Sequence, residues 1–502
     1  KVSPSVAGSI FSALEYLTSY PYGCTEQIMS SFLPNIIVSK ALTTLKIPSN
    51  VDRGKLNRKV HDGLERLYSH QHPDGGWGWW VSDESQDFMT AYVLFGLEEA
   101  RKAGYDVEVY RMDQARAWLR SRLLENQTIP ADLRAFIGLA LLGGGQKDPP
   151  VQDMLYAQRR AMTPHGLALA GLALHAVADP RTPEFVNAVE SAATTEGLAH
   201  WTGERDDLMG ISYNTSAETT AFAVKLLLLA KPESDRIAPA VTWLVANRSN
   251  GYYWESTKTT AMVILGLTDY LARSGELKPN LDVEVFLDGK SALKSRFTGG
   301  DALKLDVPTI RRDADSLREN VHRVRVTATG EGRVYWSATG RYYSRPQGNE
   351  REGSIGLNLL REYFLLQPVS KGDRTVYRLA PMPEKLKPGD VFASRLTLTG
   401  GEWRYLMIED PIPSGTEFID RRESFELESS PPWWSWNPSA KEYRDDRAAI
   451  FEYEFERGQR QFTHILRVVN PGSFKVSPAS VQPMYQPGYR ATTGSAGLEV
   501  EP

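Results

Sequence analysis

Cys24 and Gln27 are the pair in this chain best suited to react with one another. They fall in the run Tyr20-Pro-Tyr-Gly-Cys24-Thr-Glu-Gln27. Pro21 ends one helical stretch and Gly23 permits a tight turn, so Cys24 opens a second helical stretch running to Ser31. On a helix, positions three apart are neighbours on one face. A thiol beside a carboxamide can condense, losing ammonia, to an internal thioester. A helix N-terminus lowers the thiol pKa and assists that condensation. The product is an activated acyl group held in place. Cys24 is the single cysteine of the chain, which excludes an internal disulfide framework and a cysteine-based metal cluster. The plainer alternative is a buried structural thiol with Gln27 on a helix surface. For a bare Cys-x-x-Gln that alternative is the better one, so the surroundings must decide.

The elements that must position this pair change character near residue 280. Before it, apolar residues recur with helical spacing over 5–16, 90–102, 219–230 and 259–271, with weaker copies over 133–142 and 166–178. The stretches resemble one another: Thr90-Ala-Tyr-Val-Leu-Phe-Gly-Leu, Thr220-Ala-Phe-Ala-Val-Lys-Leu-Leu and Thr260-Ala-Met-Val-Ile-Leu-Gly-Leu. A helical unit repeating every few tens of residues predicts stacked helix pairs, as a solenoid or a closed α/α toroid. After residue 280 the period becomes two: Leu281, Val283, Val285 and Leu287 alternate with polar residues, and so do Val324, Val326 and Ala328, then Phe451, Tyr453 and Phe455. That pattern predicts half-buried antiparallel strands. A linker at 344–353, with Pro346, Gly348 and Gly353, divides the β half, and an amphipathic stretch at 357–366 opens its second part.

Bulk composition narrows the function. The chain has 502 residues, too many for one core, and 58 Lys+Arg nearly cancel 62 Asp+Glu. A net charge of −4 supplies no basic field for nucleic acid, and no apolar run approaches the ~18 residues of a membrane span. The chain begins at Lys1 and reads as an internal or processed piece of something larger.

The Gly-Cys-x-Glu-Gln run resembles the signature of the α2-macroglobulin and complement thioester family, and the form with Tyr20, Pro21 and Tyr22 is most similar to its bacterial members. Gln71-His-Pro-Asp-Gly-Gly76 followed by Thr90-Ala-Tyr-Val-Leu resembles the family's thioester-domain helices. Residues from about 355, especially Tyr405-Leu-Met-Ile-Glu-Asp-Pro-Ile-Pro-Ser-Gly415, resemble its final macroglobulin-like domain. The resemblance implies an α/α-toroid thioester domain at 1–278, the closing half of a CUB-like β segment at 279–350, and a macroglobulin-like β-sandwich at 351–502. It implies a Cys24–Gln27 thioester supported by Gly23 and Glu26, with Tyr20, Tyr22, Met484 and Tyr485 as its shield against water. It further implies a protease-trapping inhibitor rather than an enzyme, with proteases as partners, captured covalently through their lysine amines. No cofactor or metal is implied. The expected location is the periplasm, with a membrane anchor only through an N-terminus outside this chain, and the peptidoglycan-synthesis machinery is admitted as a further partner.

Three features stay open on the residues alone. His200 is the best placed of eight histidines to steer a thioester toward hydroxyls, His61, His70 and His72 read equally as structural, and no catalytic histidine is assigned. The clusters at Trp77, Trp79 and Trp80 and at Trp433, Trp434 and Trp436 read as packing of turns before stacking platforms. Gln71-x-x-Asp-Gly-Gly-Trp77 also resembles a triterpene-cyclase motif, but it occurs once, no Asp-x-Asp-Asp accompanies it, and the β half has no place in such an enzyme. A thioester-less adhesion or scaffold module is the remaining alternative.

Overall fold

The computed structural model describes residues 1–19, 23–44, 53–194, 196–211, 213–302, 304, 306–313, 321–340, 352–354, 356–419, 425–428, 440–486 and 488–502. The chain divides into two compact units, Lys1–Arg341 and Tyr342–Pro502. Most of the linker expected at 344–353 lies outside the described residues, as do Tyr20, Tyr22 and the tryptophans at 433–436.

The first unit is mainly helical. Its helices are α1 (Ala7–Ser19), α2 (Thr25–Thr44), α3 (Arg53–Ser69), α4 (Asp87–Lys102), α5 (Val109–Glu125), α6 (Ala131–Leu142), α7 (Pro149–Gln158), α8 (Pro164–Ala176), α9 (Thr182–Ser191), α10 (Ser216–Ala230), α11 (Ile237–Ala246) and α12 (Thr257–Arg273). The even-numbered helices close a ring: α2 packs on α4, α4 on α6, α6 on α8, α8 on α10, α10 on α12, and α12 back on α2. Each odd-numbered helix lies against a ring member, α3 on α2, α5 on α4, α7 on α6, α9 on α8, α11 on α10 and α1 on α12. Burial separates the two layers. Inner helix α4 is buried without interruption from Phe88 to Ala100, whereas outer helix α5 buries the single stripe Met112, Ala115, Leu119 and Leu123. The structure is therefore an α/α toroid.

The repeated sequence has a repeated structural cause. The indole Nε1 of Trp77 donates to Leu67 O (2.7 Å), that of Trp201 to Val189 O (2.6 Å) and that of Trp254 to Leu244 O (2.8 Å). The backbone N–H of the same three residues donates to the hydroxyls of Thr90, Thr220 and Thr260 at 2.9, 3.0 and 3.0 Å. Each tryptophan thus ties the end of an outer helix to the start of the next inner one. Trp77 is fully buried in that role, so its motif is absorbed by packing and offers no stacking platform.

α2 runs well beyond the expected end at Ser31 and carries Pro34 inside it. Phe32, Leu33, Ile36 and Ile37 are all buried in the ring, and that packing outweighs the lost backbone donor of the proline.

From α12 the chain enters three antiparallel strands. With β1 (Val2–Ser3) at the N-terminus, these are β2 (Asn280–Leu287), β3 (Lys290–Phe297) and β4 (Val324–Glu331), in spatial order β3-β2-β4, while β1 pairs with β5 (Tyr335–Trp336). Leu281, Val283 and Val285 are buried as the alternation required. The alternation lapses at Phe286 because a register shift between Val285 and Phe286 interrupts the β2–β3 ladder. Buried Glu276 joins helices to sheet: it accepts from Tyr335 OH (2.6 Å), Tyr270 OH (2.9 Å) and Val6 N (3.1 Å).

The second unit is a β-sandwich. One sheet has the order Ala440–Tyr443, Arg447–Phe455, Trp403–Pro411, Ser480–Pro483, Ala491–Thr492, Glu352–Gly353, and the other Thr416–Phe418, Gly458–Val468, Val391–Gly400, Leu357–Lys371, Arg374–Pro381. The stretch at 357–366 is therefore the start of a long strand. Leu359, Leu396 and Leu398 of one sheet meet Leu406, Ile408 and Ile450 of the other in the core. The expected alternation over 451–455 fails at one point: Glu452 is buried and Tyr453 exposed, because Arg460 forms an ion pair with Glu452. Between the sheets, buried Asp410 accepts from Arg361 Nη1 and Ser394 Oγ, each at 2.8 Å, and lies 2.9 Å from His464 Nε2.

Candidate functional site

Cys24 sits where a loop becomes α2. Its carbonyl accepts from Ile28 N at 2.9 Å, which makes Cys24 the N-cap and Gln27 the third helical residue. Those are the two positions of a capping box, in which a side chain at the third position reaches back to the cap. Here a thiol stands where Ser or Thr is usual, and a carboxamide stands opposite. Cys24 and Glu26 are fully buried and Gln27 nearly so, at 5 % exposure. Arg66 of α3 stands over the preceding backbone. A Cβ built on Gly23 would lie 2.2 Å from the Arg66 guanidinium, so the residue before the thiol has no room for a side chain unless that arginine moves.

Thr25 fixes the helix start against the next turn. Its N–H and its hydroxyl both donate to Trp79 O, at 2.9 and 3.1 Å, and its Oγ1 lies 3.1 Å from His70 Nδ1. Burial lowers the pKa of His70, as do the adjoining Arg66 and His72. Trp79 in turn donates its N–H to Asp83 Oδ2 (2.8 Å), within a loop that Asp74 and Asp83 organise by accepting backbone N–H groups.

Glu26 is held on both sides. Thr257, the first residue of α12, donates to both of its carboxylate oxygens, and Ser30 donates to Oε1. Tyr92 OH lies 3.2 Å from Ser30 Oγ, and burial together with the Glu26 charge keeps that phenol protonated well above its ordinary range. Tyr16 is likewise held protonated, by burial first and then by Tyr253, Glu26 and Tyr252. Its ring stacks on Tyr253 at 4.4 Å and meets Tyr252 edge-on at 6.1 Å.

A second buried cluster lies at the same end of the ring. Lys258 Nζ donates to Glu218 Oε1 and Oε2 (2.9 and 2.7 Å) and pairs with Asp206 Oδ2 at 2.9 Å. His165 Nε2 is 3.7 Å from Glu218 Oε1. Burial and Lys258 push His165 down to about 4, so it is neutral at physiological pH. Lys258 also lies over the Phe88 ring, 5.7 Å from its centroid. The sequence reading missed this cluster, although the repeat carried it. Phe88, Glu218 and Lys258 each stand two residues before the repeated threonines Thr90, Thr220 and Thr260.

The structure brings Gly23, Cys24, Glu26 and Gln27 together at one helix start. Met484 and Tyr485 belong to the second unit. Met484 N donates to Tyr405 O at 2.9 Å, and buried Tyr485 meets Tyr405 edge-on at 5.4 Å. Tyr405 itself has φ of +56°, a backbone held by the strands around it. His200 is occupied elsewhere: its ring stacks on Trp243 at 4.5 Å and its Nδ1 lies 2.9 Å from both Thr194 Oγ1 and Leu198 O. No group of three or more metal-ligating side chains occurs among the described residues.

Residues 2–129 match the A-macroglobulin TED domain, and residues 356–488 match the bacterial Alpha-2-macroglobulin MG10 domain. An Alpha-2-macroglobulin of Thermotoga maritima is 40% identical over 116 residues, 23% of this chain and 7% of that protein. The Alpha-2-macroglobulin of Escherichia coli is 23% identical over 97% of this chain and 29% of its own length. The chain thus spans less than a third of these relatives. The crystal structure of native E. coli alpha-2-macroglobulin from domain MG7 to the C-terminus superposes with a TM-score of 0.70 at 19% identity, over 100% of this chain and 76% of that one. Salmonella alpha-2-macroglobulin reacted with methylamine gives 0.71 at 20% identity, over 100% of this chain and 31% of that one, and these likenesses speak to the fold.

Proposed function

We propose, for a chain that belongs to the alpha-2-macroglobulin family as a C-terminal portion of its bacterial type, the role of the thioester-bearing part of a protease-trapping inhibitor. The observation that carries this reading is the placement of Cys24 and Gln27 at the cap and third positions of α2, both buried. That placement supports condensation of the Cys24 thiol with the Gln27 carboxamide, and burial supports survival of the product, because water is the competing nucleophile. In this reading a lysine amine of an attacking protease bonds to the Gln27 acyl carbon, and Cys24 leaves as a thiol. The N-terminal end of α2 favours negative charge and so eases departure of the sulfur. The reaction runs once per molecule and is a capture rather than a turnover. Glu26, fixed by Thr257 and Ser30, and Gly23, under Arg66, hold the helix start that presents the pair. The shielding roles expected of Tyr20, Tyr22, Met484 and Tyr485 belong to the same reading, as does a periplasmic location.

Intact mass tests it. Protein purified without amines is expected to be lighter than its sequence by one ammonia and to show no titratable thiol. Methylamine, the reagent in the Salmonella structure, is then expected to add its own mass and release one thiol, since Cys24 is the single cysteine. A chain at full mass, titrating one thiol from the outset and indifferent to methylamine, would rule the thioester out.

A further inference from the structure

The last turn of α3 sets a positive charge beside the Cys24–Gln27 pair. A Cβ on Gly23 would meet Nη2 of Arg66, so that nitrogen lies under about 4 Å from the Gly23 Cα. The next Cα along the chain, about 3.8 Å further, is that of Cys24, which puts the Arg66 guanidinium within about 8 Å of it. Arg66 is exposed, and among the described residues its guanidinium has neither an ion-pair partner nor a hydrogen-bond acceptor. On α5, by contrast, Arg111, Arg116, Arg120 and Arg122 each pair with a carboxylate. The charge of Arg66 is therefore not engaged in holding the fold together, and it stands against the turn that presents the thiol.

The other charged groups near this turn leave that charge in place. On α3, Asp62 and Glu65 make no ion pair with Arg66, and Glu65 lies 3.3 Å from His61. One turn on, His70 is half-buried, and burial and then Arg66 itself lower its pKa. On α2, Glu26 is fully buried and faces Thr257 and Ser30. Arg66 is thus the solvent-exposed charge that lies against the turn, and at such a distance a charge acts through space without contact. We propose that Arg66 selects amine acceptors by charge, favouring an amine with a negative group beside it over one with a second cation beside it, an assignment that rests on the thioester reading above. The covalent step is the same for every acceptor. The amine nitrogen bonds to the Gln27 acyl carbon, the bond to the Cys24 sulfur breaks, and its electron pair leaves with the sulfur. The proton lost by nitrogen ends on that sulfur, so the products are a substituted amide and a thiol. What differs is the energy of bringing the acceptor's remaining charge close to the guanidinium. On a captured protein, a lysine set among acidic residues is taken in preference to one in a basic patch.

The test is the rate of thiol release from the full chain by glycine, methylamine and ethylenediamine. With the attacking nitrogen unprotonated, these carry a negative charge, no charge and a positive charge respectively. Each rate in a variant is divided by the wild-type rate with the same amine. Intrinsic nucleophilicity then cancels, and so does any effect of the substitution common to all three. Intact mass, lighter by one ammonia, shows that the thioester has formed before rates are compared. At low ionic strength, Arg66→Glu is expected to lower the glycine rate relative to the ethylenediamine rate by about tenfold, with methylamine between them. Arg66→Lys is expected to keep the wild-type order. In the wild type itself, raising salt to about 1 M, where the screening length is about 3 Å, is expected to lower the glycine rate relative to the ethylenediamine rate by about threefold. A wild-type ratio indifferent to salt overturns the assignment without recourse to any variant, and so does an Arg66→Glu protein that changes all three rates alike. If wild-type protein releases no thiol with any of the amines, the thioester reading itself fails and this assignment falls with it.

Discussion

Thr257 and Glu26 are 231 residues apart in sequence, yet the threonine hydroxyl donates to both carboxylate oxygens of the glutamate, at 3.1 and 3.0 Å. This is where the ring of inner helices closes, α12 against α2, and it is also the residue before Gln27. Fold closure and site geometry therefore share one hydrogen bond. Thr257→Val keeps the shape and removes the donor, leaving a fully buried carboxylate short of a partner. The expected cost is about 1–3 kcal/mol, read from urea unfolding of the first unit. Thr257→Ser restores the hydroxyl and is expected to recover most of that loss. Equal stability of all three forms would show that Glu26 does not depend on the Thr257 hydroxyl.

The Lys258 cluster should be far less tolerant. Lys258, Glu218 and Asp206 are all buried, so Lys258→Met leaves two carboxylates uncompensated. A loss of about 3–5 kcal/mol is expected, enough to bring many domains close to unfolding. Adding Glu218→Gln to Lys258→Met is expected to return part of it, because one buried charge is then removed along with its partner. A double variant no more stable than the single one would mean that packing around Lys258, rather than charge, sets the cost.

Glycines in the repeat separate two kinds of close approach. A Cβ on Gly266 of α12 would stand 2.8 Å from the backbone oxygen of Ala221 on α10, which cannot swing aside. A Cβ on Gly96 of α4 would stand 2.3 Å from Met29 Cε, the free end of a flexible side chain. Gly266→Ala is therefore expected to cost about 1–3 kcal/mol and Gly96→Ala clearly less, although the second contact is nominally the tighter. The midpoints of thermal unfolding rank the two, and the reverse order would place the rigid wall at Met29.

The parts of this molecule that were legible in its sequence share a physical reason. Inner helices such as α4 and α12 are buried nearly all round around apolar centres, and β2 alternates as far as Val285, so burial wrote much of their pattern into residue type. The capping relation of Cys24 to Gln27 was legible because it is local, set by a turn and three residues. Outer helices such as α5 and α9 were not, since each buries a single stripe and its exposed residues dilute the signal. Nor was the Lys258 cluster, whose members come from α10, α12 and the loop between α9 and α10 and meet only once the ring is closed. Glu452 shows the same limit in the sandwich: its burial follows from Arg460, on the neighbouring strand of the other sheet, and no local period announces it.

Asp410 gives the second unit a defined acid sensitivity. Burial alone would raise its carboxyl, but His464 and Arg361 outweigh that and hold it below the usual carboxylate range. A carboxyl with a depressed folded value contributes stability that is present above its unfolded value, about 3.9, and is lost as pH falls through the folded one. Urea unfolding of the second unit is thus expected to weaken as pH drops below about 4. Asp410→Asn should abolish that part of the dependence, and at neutral pH it should cost about 3–5 kcal/mol, because the Arg361 guanidinium stays buried without its counter-charge. Acid sensitivity that persists unchanged in Asp410→Asn would locate its source in other groups of the second unit.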